Sequence, residues 1–364
     1  MSTTGRSESS TDAPTIAARL REAAFVRVVA RPDGDALAAA GLLGRACAAT
    51  DTPFQVSVAA TRGAASDRLV AVGEDDDAVA VGFADATADA TLTAGALSRT
   101  AFDAVSDLHE PDRALALAGV RASGAVPTDA LADVPRRPGV GVPVADLSDG
   151  LAHSTLLHAA WSGDDRHAGA LLAELELPPE LDDDAHRRLA SRVALDATED
   201  VSSRAVGALE RALRPHVPDE GAFETAEGYA DVLDCLAVAA PGLGVALALG
   251  TGDRTAALDA WRAHATATHD AMARCDPSRY SGVVVAEADA PAWPLARLVR
   301  DLRSPEPAAL VVGTDGAALA TTEDGPHARE TLAAALGDEH VAGSAKRATT
   351  PETDGVADAV REAL

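Results

Sequence analysis

Two places in the sequence put carboxylates where chemistry could be done. The first is Arg31-Pro32-Asp33-Gly34-Asp35, directly after the apolar run FVRVVA (25–30). The second is Phe83-Ala84-Asp85, at the end of AVAVGFAD (78–85). In parallel α/β sheets, functional groups gather at the carboxyl ends of strands. Aspartates from neighbouring strand ends would converge within metal-ligand distance, and such hard oxygen donors suit Mg²⁺ or Mn²⁺. Two such ions ~3.5–4 Å apart activate water and stabilise an in-line displacement at phosphorus. The same Asp-x-Asp spacing also makes a turn in which Asp35 caps the next helix. Spacing alone leaves both readings open.

The elements that must position these residues follow from the apolar pattern. APTIAARLREAA (13–24) predicts a short helix, and FVRVVA a buried strand. DALAAAGLLGRACAAT (35–50) has helical spacing and almost no β-branching, and FQVSVAA (54–60) alternates as a strand. That order is a βαβ unit and implies a parallel sheet. A short helical piece (67–72), a turn (74–77), the strand 78–85 and a helix (94–105) continue it. LALAGV (115–120) fits either strand or helix, and VPRRPGVGVP (134–143) reads as a loop. Residues 146–177 read as mostly helical and 180–275 as all-helical, ending in one long helix (251–274). A second α/β segment then has a strand (281–289), a helix (294–304), a hairpin across Thr314-Asp315-Gly316 and a helix (327–337). The expected organisation is a disordered tail (1–12), an α/β domain (13–150), a helical connector (151–278) and a smaller α/β domain (279–364).

The chain has 364 residues, with 57 Asp+Glu against 31 Lys+Arg and a net charge of -26. Lys346 is the only lysine. Hydrophobic residues make up 47% but aromatics only 3%, so Ala, Val and Leu supply the core volume. This excludes a chain disordered throughout. No apolar run is long enough to span a membrane, and the polar N-terminus does not read as a secretory signal. Scattered aspartate with lysine nearly absent is expected of a halophilic archaeal proteome, where the Debye length near 1 M salt is ~3 Å. On that reading the charge says little about partners. Cys47, Cys235 and Cys275 are too few and too scattered for a zinc site or a disulfide framework, which fits a reducing cytoplasm. Arg297, Arg300 and Arg303 recur three apart, so a helix there would carry a basic stripe, either a DNA contact or a salt-bridged surface. Arg136-Arg137 could meet phosphate or only solvent. His153 and His158 are five apart and do not share a helix face.

The sequence FVRVVARPDGDALAAAGLLGRA resembles the first motif of the DHH phosphoesterases, which include the RecJ exonucleases. Asp33 and Asp35 fall in its two aspartate places, and Asp85 in the second motif's. PGVGVPVADLSDGLAHSTLLHAAWSGD (138–164) is similar to the fourth-motif region of archaeal RecJ-like proteins, with Asp149 in the ligand place. Residues 279–313 resemble a DHHA1-type C-terminal domain. The resemblance implies a metal set of Asp33, Asp35, Asp85 and Asp149 holding Mn²⁺ or Mg²⁺, with Asp33 and Asp35 catalytic if the protein is active.

The departures point elsewhere. The first-motif histidine is Arg31, and a guanidinium cannot ligate a metal. It could pair with Asp33 and Asp35 and replace the cation. The Asp-His-His triplet is missing; Asp107-Leu108-His109 lacks one histidine. In the late substrate-loop position only Gly343, Ser344, Lys346 and Arg347 could hold phosphate. The resemblance therefore implies a catalytically degenerate replication or repair factor, without a cofactor, that scaffolds GINS and the MCM helicase and contacts single-stranded DNA. The alternative is an active Mn²⁺/Mg²⁺-dependent 5′→3′ single-strand exonuclease or DHH phosphodiesterase.

Overall fold

The computed structural model describes residues 10–70, 76–84, 88–178, 181–197 and 205–364. Asp85 lies outside them, as does most of the expected tail. Within that tail, Ser10 to Asp12 are tied down. Thr11 N donates to Thr91 O at 2.7 Å, and the Asp12 side chain caps the first helix.

That helix, α1 (Ala13–Glu22), leads into β1 (Phe25–Ala30), α2 (Gly34–Ala49), β2 (Phe54–Val58), α3 (Arg62–Leu69), β3 (Asp76–Val81) and β4 (Ala90–Leu92). The four strands form one parallel sheet in the order β2-β1-β3-β4. The third strand stops at Val81, earlier than its apolar run suggests, because Gly82 takes φ 84° and turns the chain out of the sheet. The segment 115–120 settles as helix. It lies in α5 (Arg113–Ala122), which follows α4 (Leu97–Val105). β-Branched residues are too few there to hold a strand.

α2 is buried along almost its whole length. It packs on β1 and β2 and is covered by α4, α5 and two later helices, α10 (Ala226–Ala239) and α11 (Pro241–Ala248). Its small residues make that possible. A Cβ at Gly41 would lie 2.6 Å from the Ala248 side chain, and one at Gly44 2.5 Å from Leu249. An alanine-rich, aromatic-poor composition thus builds its core by close backbone approach instead of by ring volume.

The middle of the chain is α6 (Leu147–His153), α7 (Asp165–Glu174), α8 (Asp183–Ala197), α9 (Ala205–Leu213), α10 (Ala226–Ala239), α11 (Pro241–Ala248) and α12 (Arg254–Arg274). Asp253 caps α12 through Thr255 N and Ala256 N. α10 is nearly all buried and touches α2, α5, α11 and α12. At Gly228 it runs against backbone: an added Cβ would sit 2.2 Å from Val142 C and 2.3 Å from Pro143 N. Gly228→Ala should therefore lower stability by about 1–3 kcal/mol or more in urea melts.

The last part holds β5 (Ser278–Tyr280), β6 (Val283–Glu287), α13 (Ala292–Leu298), β7 (Ala308–Gly313), β8 (Gly316–Thr321), α14 (Ala328–Leu336), β9 (Ala342–Gly343), β10 (Arg347–Thr350) and α15 (Val356–Ala363). Its mixed sheet runs β5-β6-β7-β8-β10-β9, with β6 and β7 parallel and the other pairs antiparallel. α13 and the π-helical turn Val299–Arg303 pack on one face, α14 and α15 on the other. Two α/β units joined by helices are what the apolar pattern predicts.

Candidate functional site

β1 ends at Ala30 and delivers Arg31, Pro32 and Asp33 to the start of α2. Asp33, not Asp35, is the N-cap: its Oδ1 accepts from Ala36 N at 2.9 Å. Its Oδ2 accepts a short hydrogen bond from Arg31 Nε. Arg31 Nη1 donates to Gly343 O at 2.7 Å, in β9, and to Gly82 O at 3.3 Å. Arg31 packs closely on Gly82, where an added Cβ would meet Arg31 Cβ at 2.9 Å and Cζ at 3.1 Å. Arg31 is 8% exposed and Asp33 5%. Burial alone would raise the Asp33 pKa, but the charges of Arg31 and Arg347 and the hydrogen bonds hold it below the ordinary carboxylate value.

Asp35 points elsewhere. It accepts from Leu97 N, Ser98 N and Ser98 Oγ at 2.6–2.9 Å, and so caps α4 from across the core. Burial and then the neighbouring Asp33 charge push its pKa up to about 6. Asp149 lies in a different constellation. Arg262 grips it with two prongs, Nε to Oδ1 at 2.9 Å and Nη2 to Oδ2 at 2.7 Å. His153 Nδ1 is 3.0 Å from the same carboxylate. Among the described residues, Asp149, His153 and Asp165 are a group whose donor atoms lie close enough to share a cation. The structure thus joins Arg31 to Asp33 and gives Asp35 and Asp149 separate partners. The described residues do not fit a two-metal centre: the Asp33 oxygens are held by a guanidinium and a helix N-terminus, and the Asp35 oxygens by α4.

The arginines expected to meet nucleic acid are engaged within the protein. Arg347 Nη1 donates to Asp234 Oδ1 at 2.7 Å, its Nη2 to Pro32 O at 3.0 Å, and its guanidinium carbon sits 4.2 Å from the Trp293 ring centre. Asp234 also accepts from Gly34 N at 2.8 Å. Arg297 donates to Thr155 O and Oγ1 at 3.0 and 3.1 Å and faces the buried Asp231 at 3.8 Å. Arg300 donates to Thr321 O and Asp301, and Arg303 to Cys275 O. The expected helix 294–304 breaks into α13 and a π-turn, so the three-residue spacing makes no single stripe. Lys346 makes an exposed 3.5 Å pair with Glu323.

Asp231 and Asp234 were missed by motif reasoning. Both are buried on α10 and receive the C-terminal unit's arginines. The signal was two acids three apart in the otherwise apolar GYADVLDCLAVAA. Burial raises the Asp231 pKa against the opposing charge of Arg297. The cysteines are free, and burial raises Cys47 to about 11.

The partly buried His158 and the buried His269 make a separate pair, with Nδ1 atoms 3.1 Å apart. His269 Nε2 lies 3.2 Å from Ser154 O, which can only accept, so Nε2 carries the proton. His269 Nδ1 must then accept from His158 Nδ1–H, and both rings are neutral. Burial lowers His158 to about 4, helped by Arg303, and His269 to about 3, helped by His158. A lowered histidine stabilises the fold fully above its unfolded pKa of ~6.5 and loses that stability as pH falls toward the folded value. Stability in urea melts should therefore fall as pH drops from 7 to 4. The His158→Gln/His269→Gln variant should show a flatter pH slope in that window.

The fold, a parallel-sheet unit and a mixed-sheet unit, has the arrangement of a CDC45 structure. CDC45 from Entamoeba histolytica aligns over 96% of this chain and 97% of its own, with TM-score 0.54 and 10% identity. An exonuclease RecJ bound to manganese aligns over 97% of this chain and 94% of its own, with TM-score 0.45 and 13% identity. RecJ of Thermus thermophilus in complex with Mn²⁺ aligns over 96% of this chain and 54% of its own, with TM-score 0.43 and 16% identity. In sequence, residues 275–363 match the family described as uncharacterized protein rrnAC1427, C-terminal domain. The uncharacterized protein rrnAC1427 of Haloarcula marismortui is 47% identical over 357 residues, 95% of this chain and 93% of that one. The chain belongs to the rrnAC1427 family.

Proposed function

We propose that this protein is a non-catalytic DHH-fold factor of DNA replication, a scaffold that binds GINS and the MCM helicase in a high-salt cytoplasm. The observation that carries the reading is Arg31. Its permanently charged guanidinium lies against Asp33 at the carboxyl end of β1, where a divalent ion would be required for phosphoryl transfer. Arg347 brings a second fixed cation from the C-terminal unit to the same strand end, bonded to Pro32 O. The full-length fold likeness to CDC45 supports an assembly role, and no helix among the described residues is long and apolar enough to cross a membrane.

The test has two arms, both in molar KCl. Purified protein with Mn²⁺ and 5′-labelled single-stranded DNA should release no nucleotides. Tagged protein should retain GINS from an extract of its own source. Mn²⁺-dependent hydrolysis abolished by Asp33→Ala would establish the exonuclease instead, and failure to retain either GINS or helicase would remove the scaffold reading.

A further inference from the structure

The helical part carries a groove of about 620 Å³ that the strand-end site does not use. One wall is the segment from Arg137 to Leu147, and α7, α8 and the stretch before α10 supply the rest. Its lining is mostly aliphatic, with Val140, Val142, Leu172, Leu177 and Leu189 among the contributors and no Phe, Tyr or Trp; His186 also lines it. Leu172 and Leu177 are only partly covered.

The groove's rim is the second observation. Arg136, Arg137 and Arg214 are exposed and adjacent: Arg136 Nε donates to Arg214 O at 2.7 Å, and Arg137 N to Pro215 O at 3.3 Å. None forms an ion pair among the described residues, although acids outnumber bases 57 to 31 in the chain. Glu227 and Glu210 act on Arg136 only at longer range, so this rim is a patch of exposed cations with no contact-range carboxylate among the described residues. Asp146 and Glu224 also line the groove, Asp146 near the far end of the Arg137–Leu147 segment. A ligand's acidic groups therefore belong at the arginine end.

We propose that this groove docks an acidic amphipathic segment of a partner protein. Its aliphatic side chains enter the Val140–Leu189 lining, and its carboxylates meet Arg136, Arg137 and Arg214. An aliphatic floor suits peptide side chains, whereas a nucleic-acid strand is held by successive stacking rings, of which this lining offers only the His186 imidazole among the described residues. In molar salt only contact-range charge pairs survive screening, so the arginines select the partner while apolar burial holds it. The proposal stands independently of the replication reading.

The test is selection of random 16-residue peptides displayed on phage against the full-length protein in molar KCl. Enriched peptides should combine Asp or Glu with Leu, Ile, Val or Phe. Their binding should weaken at least tenfold in Arg136→Glu/Arg137→Glu/Arg214→Glu, whose positions are exposed and leave the core intact. Leu177→Asp should weaken it similarly, with an unchanged circular dichroism spectrum. Each of these results overturns the proposal: no enrichment, enriched peptides without acids, binding indifferent to the arginine variant, or displacement by a dT16 oligonucleotide. Sedimentation as a dimer that the arginine variant abolishes would give the face to a second copy of this chain and equally overturn it.

Discussion

Arg347→Ala should destabilise the protein by about 3–5 kcal/mol, read as a fall in the urea midpoint in molar KCl. The side chains of Arg347 and Asp234 are 10% and 6% exposed, and the pair joins β10 of the C-terminal unit to α10. Removing the guanidinium leaves the Asp234 carboxylate buried with Gly34 N as its remaining donor. It also frees Pro32 O and uncovers the face of Trp293. The cost of stranding a buried charge exceeds the net worth of the pair. The double variant Arg347→Ala/Asp234→Ala should therefore recover most of the loss, a non-additivity of the kind expected for contacting residues. Amide exchange at residues 34–36 should quicken in the single variant, because the cap of α2 and the C-terminal unit share Asp234. If the single and double variants melt alike, the pair is not what holds the two units together.

How far the sequence could have announced this differs from element to element. β1, α2 and the β7–β8 hairpin were legible because their periods are unambiguous and Gly or Asp closes them. β4, β5 and β9 were not, since two or three residues carry no period. Their pairing is imposed by neighbours, as when Thr11 N bonds Thr91 O beside a short edge. The break in α13 was hidden because a π-turn keeps the same residue types as a helix. The Arg31–Asp33 pairing was legible, because two residues of opposite charge two apart at a strand end have little else to meet. The roles of Asp35 and Asp149 were not. Which backbone amides or arginines face a carboxylate depends on how α4 and α12 pack. Asp231 and Asp234 lay in plain view as acids on an apolar helix, but their partners, Arg297 and Arg347, come from a part of the chain more than sixty residues later.

Arg31→Ala should turn the protein from cation-indifferent to cation-binding. Arg31 now meets three acceptors, the Asp33 carboxylate, Gly82 O and Gly343 O, with a planar fork of donors that lysine cannot reproduce. Without it, Asp33 stays buried beside Asp35 and loses its nearest compensating charge, so stability in EDTA should drop by about 3–5 kcal/mol. Arg31→Lys should recover only part of that. A divalent ion can supply the missing charge, and the space vacated lies among oxygen atoms that are hard donors. Millimolar Mn²⁺ should then raise the urea midpoint of Arg31→Ala and leave the wild-type midpoint unchanged. By mass action an ion at about 100 times its Kd restores ~2.7 kcal/mol. The triple variant Arg31→Ala/Asp33→Ala/Asp35→Ala should lose the Mn²⁺ response, which ties it to this strand end instead of to the Asp149–His153–Asp165 group. If wild type is itself stabilised by Mn²⁺ and Arg31→Ala no more so, the guanidinium has not taken a metal's place, and the case for a silenced site goes with it.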